Sequence, residues 1–330
     1  MRVVAIVPST QDPTSPGGEL AIVERPDPEP AAGHVRIHVE FAGVNRADIL
    51  QRMGLYPAPP GAPADIPGLE YAGVVDRVGD GVTALRVGDR VFGLVPGGAY
   101  AEYAIVHERE AARLPDSLPM EVAAAVPEAF VTAYDALVLR GGLRPGERVL
   151  VHAAGSGVGT AGIQVAKALG CHVTGTSRTP DKLERARALG LDVGLVAKTA
   201  SELERALDSA GPFDVVLDLV GGAYVGATLP AMATKGRLVV VGLTGGAHSD
   251  LNLAVLLRKR LAVVGTVLRS RPLEEKIQAA DILRRTLSPW LARQMIRPVV
   301  ETTFPLADVA AAHRLLEDNS TFGKVLLHAR

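Results

Sequence analysis

From Val149 the chain runs through an apolar, β-branched stretch, Val149-Leu150-Val151-His152-Ala153, into the small-residue turn Ala154-Gly155-Ser156-Gly157-Val158-Gly159. An amphipathic pattern from Thr160 to Leu169 follows at once. This order predicts a strand, a tight loop and a helix in direct succession, which restricts the region to folds in which strands and helices alternate. The first-turn N–H groups of a helix lack intrahelical partners and its dipole favours an anion, so this helix start is suited to a pyrophosphate. Without side chains at Gly157 and Gly159, a dinucleotide and the neighbouring strand can both approach the backbone closely. The strict G-x-G-x-x-G spacing is not met: aligned on Gly159, the first two glycine positions hold Ala154 and Ser156. Taken alone, the loop fits a nucleotide site and a merely structural turn equally well.

The downstream pattern favours the nucleotide site. Short apolar strands are expected at Val173–Thr176, Val193–Val196, Asp214–Leu219 and Gly236–Gly242, with helices at 160–169, 181–189, 201–210 and near 223–233. A last pair of segments, Leu251–Arg258 and Leu261–Val267, completes about six strands. Continuous apolar strands separated by helices are buried on both faces, which predicts a parallel, doubly wound sheet. Residues 1 to about 125 read differently. Val35–Glu40 and much of Tyr71–Val78 alternate with period two, and Gly17-Gly18, Pro57–Gly61 and Pro96-Gly97-Gly98 read as loops. Asp89–Gly93 followed by Ala99–Val106 suggests two strands joined by a turn. Helix is expected again near 274–295 and 307–318, before a final strand at Gly323–His328.

At 330 residues the chain has room for two domains. Its formal net charge of −1 supplies no electrostatic footprint for nucleic acid or an anionic membrane. No apolar run has transmembrane length and the first residues make too short an apolar segment for a secretory signal, so a cytoplasmic location is expected. The single cysteine, Cys171, excludes an intrachain disulfide and a multi-cysteine zinc site, and reads as a small core residue. His152 reads as buried and structural.

The end of the second strand speaks to which nucleotide. An acidic residue about 20 positions past the loop normally accepts bonds from the adenosine ribose. Here the matching stretch is Ser177-Arg178-Thr179-Pro180-Asp181-Lys182, with no carboxylate at the strand end to repel a 2′-phosphate. Ser177 offers a hydroxyl, and Arg178 and Lys182 offer two cations, which favours NADPH over NADH. The competing reading is that Arg178 and Lys182 are solvated charges at a helix start.

Beyond this, the residues resemble a known family. Gly-Leu-Glu-Tyr-Ala-Gly at 68–73 and Val-Gly-Asp-Arg-Val at 87–91, followed by the nucleotide loop, resemble the medium-chain dehydrogenase/reductases. Asn45-Arg46-Ala47-Asp48, Tyr56-Pro57, Pro127–Ala133, Leu268-Arg269-Ser270-Arg271 and the His-Ala-x-x-Ser-Gly-Val-Gly-Thr-Ala stretch narrow this. Together they are similar to the zinc-independent NADPH:quinone oxidoreductases, most of all to the p53-inducible branch. The similarity runs from the first strand to Gly323-Lys324-Val325. It implies an α/β protein with a GroES-like, β-rich catalytic domain at 1–127 and 270–330. A Rossmann, doubly wound NADPH-binding domain is implied at 128–269, so that the C-terminal segment returns to the catalytic domain. It also implies a homodimer joined edge to edge through the strand expected at Leu261–Val267.

Zinc-dependent members place a cysteine where Asn45 stands, a histidine where Leu69 stands and a second cysteine near Glu128, and the four-cysteine structural lobe is missing too. The resemblance therefore implies no metal. Without a Lewis acid a simple ketone is a poor acceptor, whereas a quinone delocalises the arriving charge over its ring. The implied reaction is zinc-independent hydride transfer from NADPH to a quinone in an interdomain cleft, with the final proton coming from solvent. Carried over, the nicotinamide-side positions fall on Asn45, Tyr56 and Thr132, and the pyrophosphate-lining ones on Ser156, Gly157 and Val158. Gly242 and Leu243 fall at the nicotinamide end, and Arg269 and Lys324 reach the cofactor from the far side. The chain departs from the pattern at Ala197, where many quinone reductases carry a tyrosine that packs on the adenine.

Several residues keep two readings. Tyr56 either meets a quinone oxygen or packs on neighbouring prolines, and Asn45 either orients Tyr56 or the nicotinamide ribose, or stabilises a turn. Arg269 and Arg271 serve a cofactor or interface, or are solvated. Asp48 reads as a helix-start residue, and Glu70 and Asp89 as residues holding turns. Two other functions remain open: an NADPH-dependent enone or enoyl-thioester reductase, and an NADPH-binding protein with little turnover.

Overall fold

Alternation at Val35-Arg36-Ile37-His38-Val39 becomes the longest strand, the frame of the first of two units. The computed structural model describes residues 1–9, 17–116 and 118–329. The first unit comprises Met1–Glu128, Leu268–Gln294 and Pro298–Arg330; the second comprises Ala129–Val267 and Met295–Arg297. In the first, β1 (Arg2–Pro8) and β2 (Gly18–Glu24) form an antiparallel pair. The larger sheet is built on β3 (His34–Val44), which α1 (Arg46–Arg52) follows, and continues through β4 (Glu70–Val78), β5 (Arg90–Leu94), β6 (Tyr103–His107) and β7 (Ala111–Arg113). The inward side chains Val35, Ile37, Val39, Tyr71, Val75 and Val91 are fully buried and make the core. Burial of each such aliphatic chain stabilises by about 1.5–3 kcal/mol.

The strands at 90–94 and 103–107 are not partners, contrary to the turn-joined pair expected from sequence. β5 pairs with β4 and β7, whereas β6 pairs with β3, from His34↔His107 to His38↔Tyr103. The Pro96-Gly97-Gly98 segment redirects the chain between them. Gly98 has φ 91° and donates to Ile66 O at 2.9 Å, and Tyr100 N–H donates to Pro67 O at 3.0 Å.

Helix α2 (Met120–Ala124) leads to α3 (Pro127–Tyr134), which runs into a π-helical turn, Asp135–Arg140. The second unit then alternates β8 (Arg148–Val151), α4 (Gly157–Ala168), β9 (His172–Ser177), α5 (Pro180–Arg187), β10 (Val193–Val196) and α6 (Ala200–Leu207). It continues with β11 (Phe213–Asp218), α7 (Ala223–Thr228), β12 (Met232–Val240), α8 (Leu253–Lys259) and β13 (Ala262–Gly265). All six strands are parallel, in the order β10-β9-β8-β11-β12-β13. The order reverses between β8 and β11, the switch point where open α/β sheets bind ligands at the carboxyl ends of their strands.

The chain returns to the first unit with α9 (Leu273–Ile282), α10 (Ser288–Ala292), β14 (Val300–Pro305), α11 (Val309–Glu317) and β15 (Lys324–His328). β15 lies antiparallel on β3, and β14 adds a parallel edge that the sequence reading did not contain. No helix among the described residues is long and apolar enough to cross a membrane.

Candidate active site

In the second unit, the departures from the glycine fingerprint have structural substitutes. Ser156 is the N-cap of α4: its Oγ accepts from Gly159 N–H at 3.1 Å and donates to Ala153 O at 2.8 Å. This satisfies one of the orphan donors of the helix start. Gly157 and Val158 open the first turn, partly exposed. Ala154 is fully buried, and its methyl is accommodated by Gly175 of β9, where a Cβ would stand 2.9 Å from it. Gly159 is indispensable, since a Cβ there would lie 2.3 Å from Ala153 O.

The residues expected to select the nucleotide converge on this loop. Ser177 ends β9, 8% exposed, and its Oγ accepts from Thr179 N–H at 3.2 Å. The aliphatic stem of Lys182 lies over Gly155, where a Cβ would come within 2.8 Å of Lys182 Cδ. Arg178 is exposed and has no hydrogen-bond or ion-pair partner among the described residues. It acts on Tyr224, whose hydroxyl donates to Ala197 O at 3.1 Å; burial raises the Tyr224 phenol and the Arg178 charge opposes that rise. Gly242 passes so close to Leu219 that a Cβ would meet its carbonyl at 2.5 Å, and Leu243 beside it is 56% exposed. Thr132 is buried in α3. His152 is the structural residue expected, held between Thr176 Oγ1 at 3.0 Å and Thr228 Oγ1 at 2.9 Å.

In the first unit a second cluster forms around Glu70, which is fully buried. Its Oε1 receives Lys324 Nζ at 2.6 Å and Asn45 Nδ2 at 3.0 Å, while Oε2 accepts Glu128 N–H at 2.8 Å in the first turn of α3. Lys324 Nζ also donates to Val44 O at 3.0 Å and to Asn45 Oδ1. Gly43 makes the arrangement possible, because a Cβ there would stand 2.1 Å from Glu70 Oε1. Asn45 thus precedes α1 with both ends of its amide engaged. Asp48 caps the same helix start, accepting from Asn45 N–H at 2.8 Å, Gly68 N–H at 3.1 Å and Tyr100 Oη–H at 3.0 Å. Burial pushes the Asp48 carboxyl up to about 6, against these hydrogen bonds.

Tyr56 stands in the loop after α1, and Arg269 organises that loop. Its guanidinium donates to Tyr56 O at 3.0 Å, Pro96 O at 2.7 Å and Gln51 Oε1 at 2.6 Å, and lies 5.0 Å over the Tyr56 ring. At 7% exposure Arg269 is not a solvated charge. The Tyr56 hydroxyl is raised above its ordinary range by burial and by Glu128, with Arg269 opposing. Burial, then the Glu70 charge, pushes the Glu128 carboxyl up to about 8. Sequence reasoning noted Glu128 only as the site of a missing cysteine and did not find the Asp48–Tyr100 pair. The only sequence signal for the latter was an aspartate three residues after Asn45.

Residues 31–116 match the alcohol dehydrogenase GroES-like domain family, and residues 157–284 match the zinc-binding dehydrogenase family. The rat quinone oxidoreductase is 32% identical over 91% of this chain and 90% of its own length. A Streptomyces halstedii polyketide synthase, GfsB, is 46% identical over 64% of this chain, a stretch that spans 4% of that protein. The Thermus thermophilus quinone oxidoreductase, solved also with NADPH, superposes with TM-score 0.83 at 36% identity, covering 99% of this chain and 100% of that one. The CurK enoyl reductase superposes with the same TM-score at 25% identity, covering 99% and 98%. The zinc that one family description names does not fit the residues present. Asn45 and Leu69 are not zinc donors of the usual kind, and the Lys324 ammonium is hydrogen-bonded between Asn45 and Glu70. Among the described residues no group of three or more His, Cys, Asp or Glu could hold a metal ion.

Proposed function

The chain belongs to the medium-chain dehydrogenase/reductase superfamily of oxidoreductases, and from that premise we propose that it is a zinc-independent, NADPH-dependent quinone reductase. The observation that best supports this acceptor is the Asn45–Glu70–Lys324 cluster, in which Asn45, at the position where the resemblance puts a zinc-binding cysteine, is engaged by a lysine ammonium. A substrate reduced here must disperse its own negative charge, and a quinone does so through its conjugated ring. The quinone oxidoreductases among its relatives support the same reading.

The second unit fits NADPH. Gly159 lets the loop pack tightly against the start of α4, and the free N–H groups of that first turn suit a pyrophosphate, which Ser156, Gly157 and Val158 would line. Ser177, Arg178 and Lys182 would clamp the 2′-phosphate, and unpaired Arg178 suits a bidentate contact. NADPH supplies the hydride; the protein supplies placement and a dry, shaped environment. Thr132, Gly242 and Leu243 would hold the nicotinamide end. Tyr56 would hydrogen-bond a quinone oxygen, with Arg269 fixing its loop. Asn45 and Lys324 would act through the Glu70 cluster that fixes the start of α1. The protein would work as a homodimer, joined through β13 at the edge of its sheet, where Val263 is 37% exposed and Leu257 of α8 77% exposed.

The polyketide synthase and enoyl reductase among the relatives favour a second reading, reduction of an enoyl thioester. Steady-state NADPH oxidation with 1,2-naphthoquinone, an alkenal and a crotonyl thioester separates the two. The quinone is expected to give the highest kcat/KM. Preference for either other acceptor would overturn the assignment, and oxidation no faster with any acceptor than without would mark a binding protein.

A further inference from the structure

A 2′-phosphate held at the end of β9 puts the base of the nucleotide within a sugar's reach of that strand end, and one aromatic ring stands there. We propose that Tyr224 is an adenosine-binding residue whose ring supports the base of NADPH, an assignment that rests on the nucleotide reading above.

The turn after β11 delivers Tyr224 to this place. Asp218, fully buried at the strand end, accepts from Val220 N–H at 2.9 Å and from Gly221 N–H at 3.0 Å. Gly221 and Gly222 follow with φ of 69° and 55°, and Tyr224 N–H donates back to Gly221 O at 3.2 Å. The side chain then reaches toward the other half of the sheet. Its hydroxyl donates to Ala197 O at 3.1 Å, just past β10, while Ala197 N–H donates to Ser177 O at 2.9 Å, at the end of β9. Buried His152, just past β8, meets the ring in a T-shaped contact with 5.4 Å between centroids. The ring is thus tied to the carboxyl ends of β8 and β10, and through Ala197 to that of β9, the side of an open α/β sheet on which ligands bind. It keeps part of its surface exposed.

The base hangs from the same ribose whose 2′-oxygen carries the phosphate, so a clamp at Ser177 and Arg178 confines it to these strand ends. A purine is held there by a flat, polarisable surface, which an aromatic ring supplies by stacking. Of the four Phe and Tyr residues between 129 and 267, Phe130 and Phe213 are buried, and Tyr134 belongs to α3, ahead of the sheet. Tyr224 is the one the strand ends present. Its hydroxyl is engaged by the Ala197 carbonyl, so it orients the ring and leaves recognition of the base to the ring itself. Arg178 is near enough for its charge to act on the same phenol.

The test measures dissociation constants by calorimetry in the parent, Tyr224→Leu and Tyr224→Phe. The ligands are NADPH, 2′,5′-ADP and reduced nicotinamide mononucleotide, which lacks the adenosine half. Tyr224→Leu should bind NADPH and 2′,5′-ADP roughly 10- to 100-fold more weakly, the scale of one base–aromatic stack, with the mononucleotide unchanged. Tyr224→Phe keeps the ring and should lose only about 2- to 5-fold, the scale of one anchoring hydrogen bond. In the parent, 2′,5′-ADP should perturb the near-ultraviolet tyrosine absorbance, and Tyr224→Phe should abolish that change while still binding, a readout independent of whether Tyr224→Leu folds. A folded Tyr224→Leu that binds 2′,5′-ADP like the parent, a mononucleotide weakened as much as NADPH, or a difference spectrum unchanged in Tyr224→Phe overturns the assignment alone. A parent that binds neither NADPH nor 2′,5′-ADP overturns the nucleotide reading and this assignment together.

Discussion

Lys324 and Glu70 show how much can rest on one buried contact. Glu70 is fully buried and Lys324 is 4% exposed, so neither is solvated when the other is lost. Truncating one partner of such a pair leaves an uncompensated buried charge, typically costing about 3–5 kcal/mol. Lys324→Ala should therefore lower unfolding stability by about that amount in denaturant titration, whereas Arg86→Ala, which removes an exposed partner of Asp89, should cost less than about 1 kcal/mol. Glu128 makes a pH prediction of definite sign. Its folded carboxyl holds a proton up to about 8, while the unfolded chain releases it near 4.5. In that window the folded state binds more protons, so rising pH costs stability, by up to about 5 kcal/mol in total, and the loss levels off above pH 8. Glu128→Gln should lack this slope. The residue types here were legible in the motifs, but their partnership was not: Asn45 meets Glu70 across 25 positions and Lys324 across 279. Only the pairing of β15 with β3 and of β3 with β4 brings them together.

At the level of elements, the turn from β8 into α4 carries the nucleotide site, and Gly159 is its tightest point. A Cβ 2.3 Å from Ala153 O forces backbone movement. Gly159→Ala should thus destabilise by roughly 1–3 kcal/mol, the usual cost of overpacking, and weaken NADPH binding in calorimetry. An unchanged affinity would show that the loop does not contact the cofactor. The alternating strands and helices of the second unit were readable because β8, β10 and most of β11 are short apolar runs bounded by turn residues. Val193–Val196 emerges with the same bounds that were expected. β14 was not readable: Val300-Glu301-Thr302-Thr303-Phe304-Pro305 has no clean alternation, and none of its residues is fully buried. The pairing of β6 with β3 rather than β5 was equally hidden, since the glycine backbone at Gly97-Gly98 sets it and the side-chain pattern does not.

At the scale of the molecule, the exposed edge at β13 and the uncovered Leu253 and Leu257 of α8 give an apolar margin that a second copy would bury. Val263→Lys should then sediment with half the mass of the parent at the same concentration; equal masses would remove β13 as the joint. The choice of nucleotide turns on what lies beyond β9. A strand end carrying Ser177 and unpaired Arg178, beside Lys182 laid over Gly155, is read as a clamp for a 2′-phosphate. The ratio of the NADPH and NADH dissociation constants, in the parent and in Arg178→Ala, tests this most directly. The parent should bind NADPH at least about ten-fold more tightly. Arg178→Ala should lose roughly 10- to 100-fold in NADPH affinity with little change for NADH, the scale of one charged hydrogen-bonded contact. Equal affinities of the parent for the two nucleotides would contradict the account.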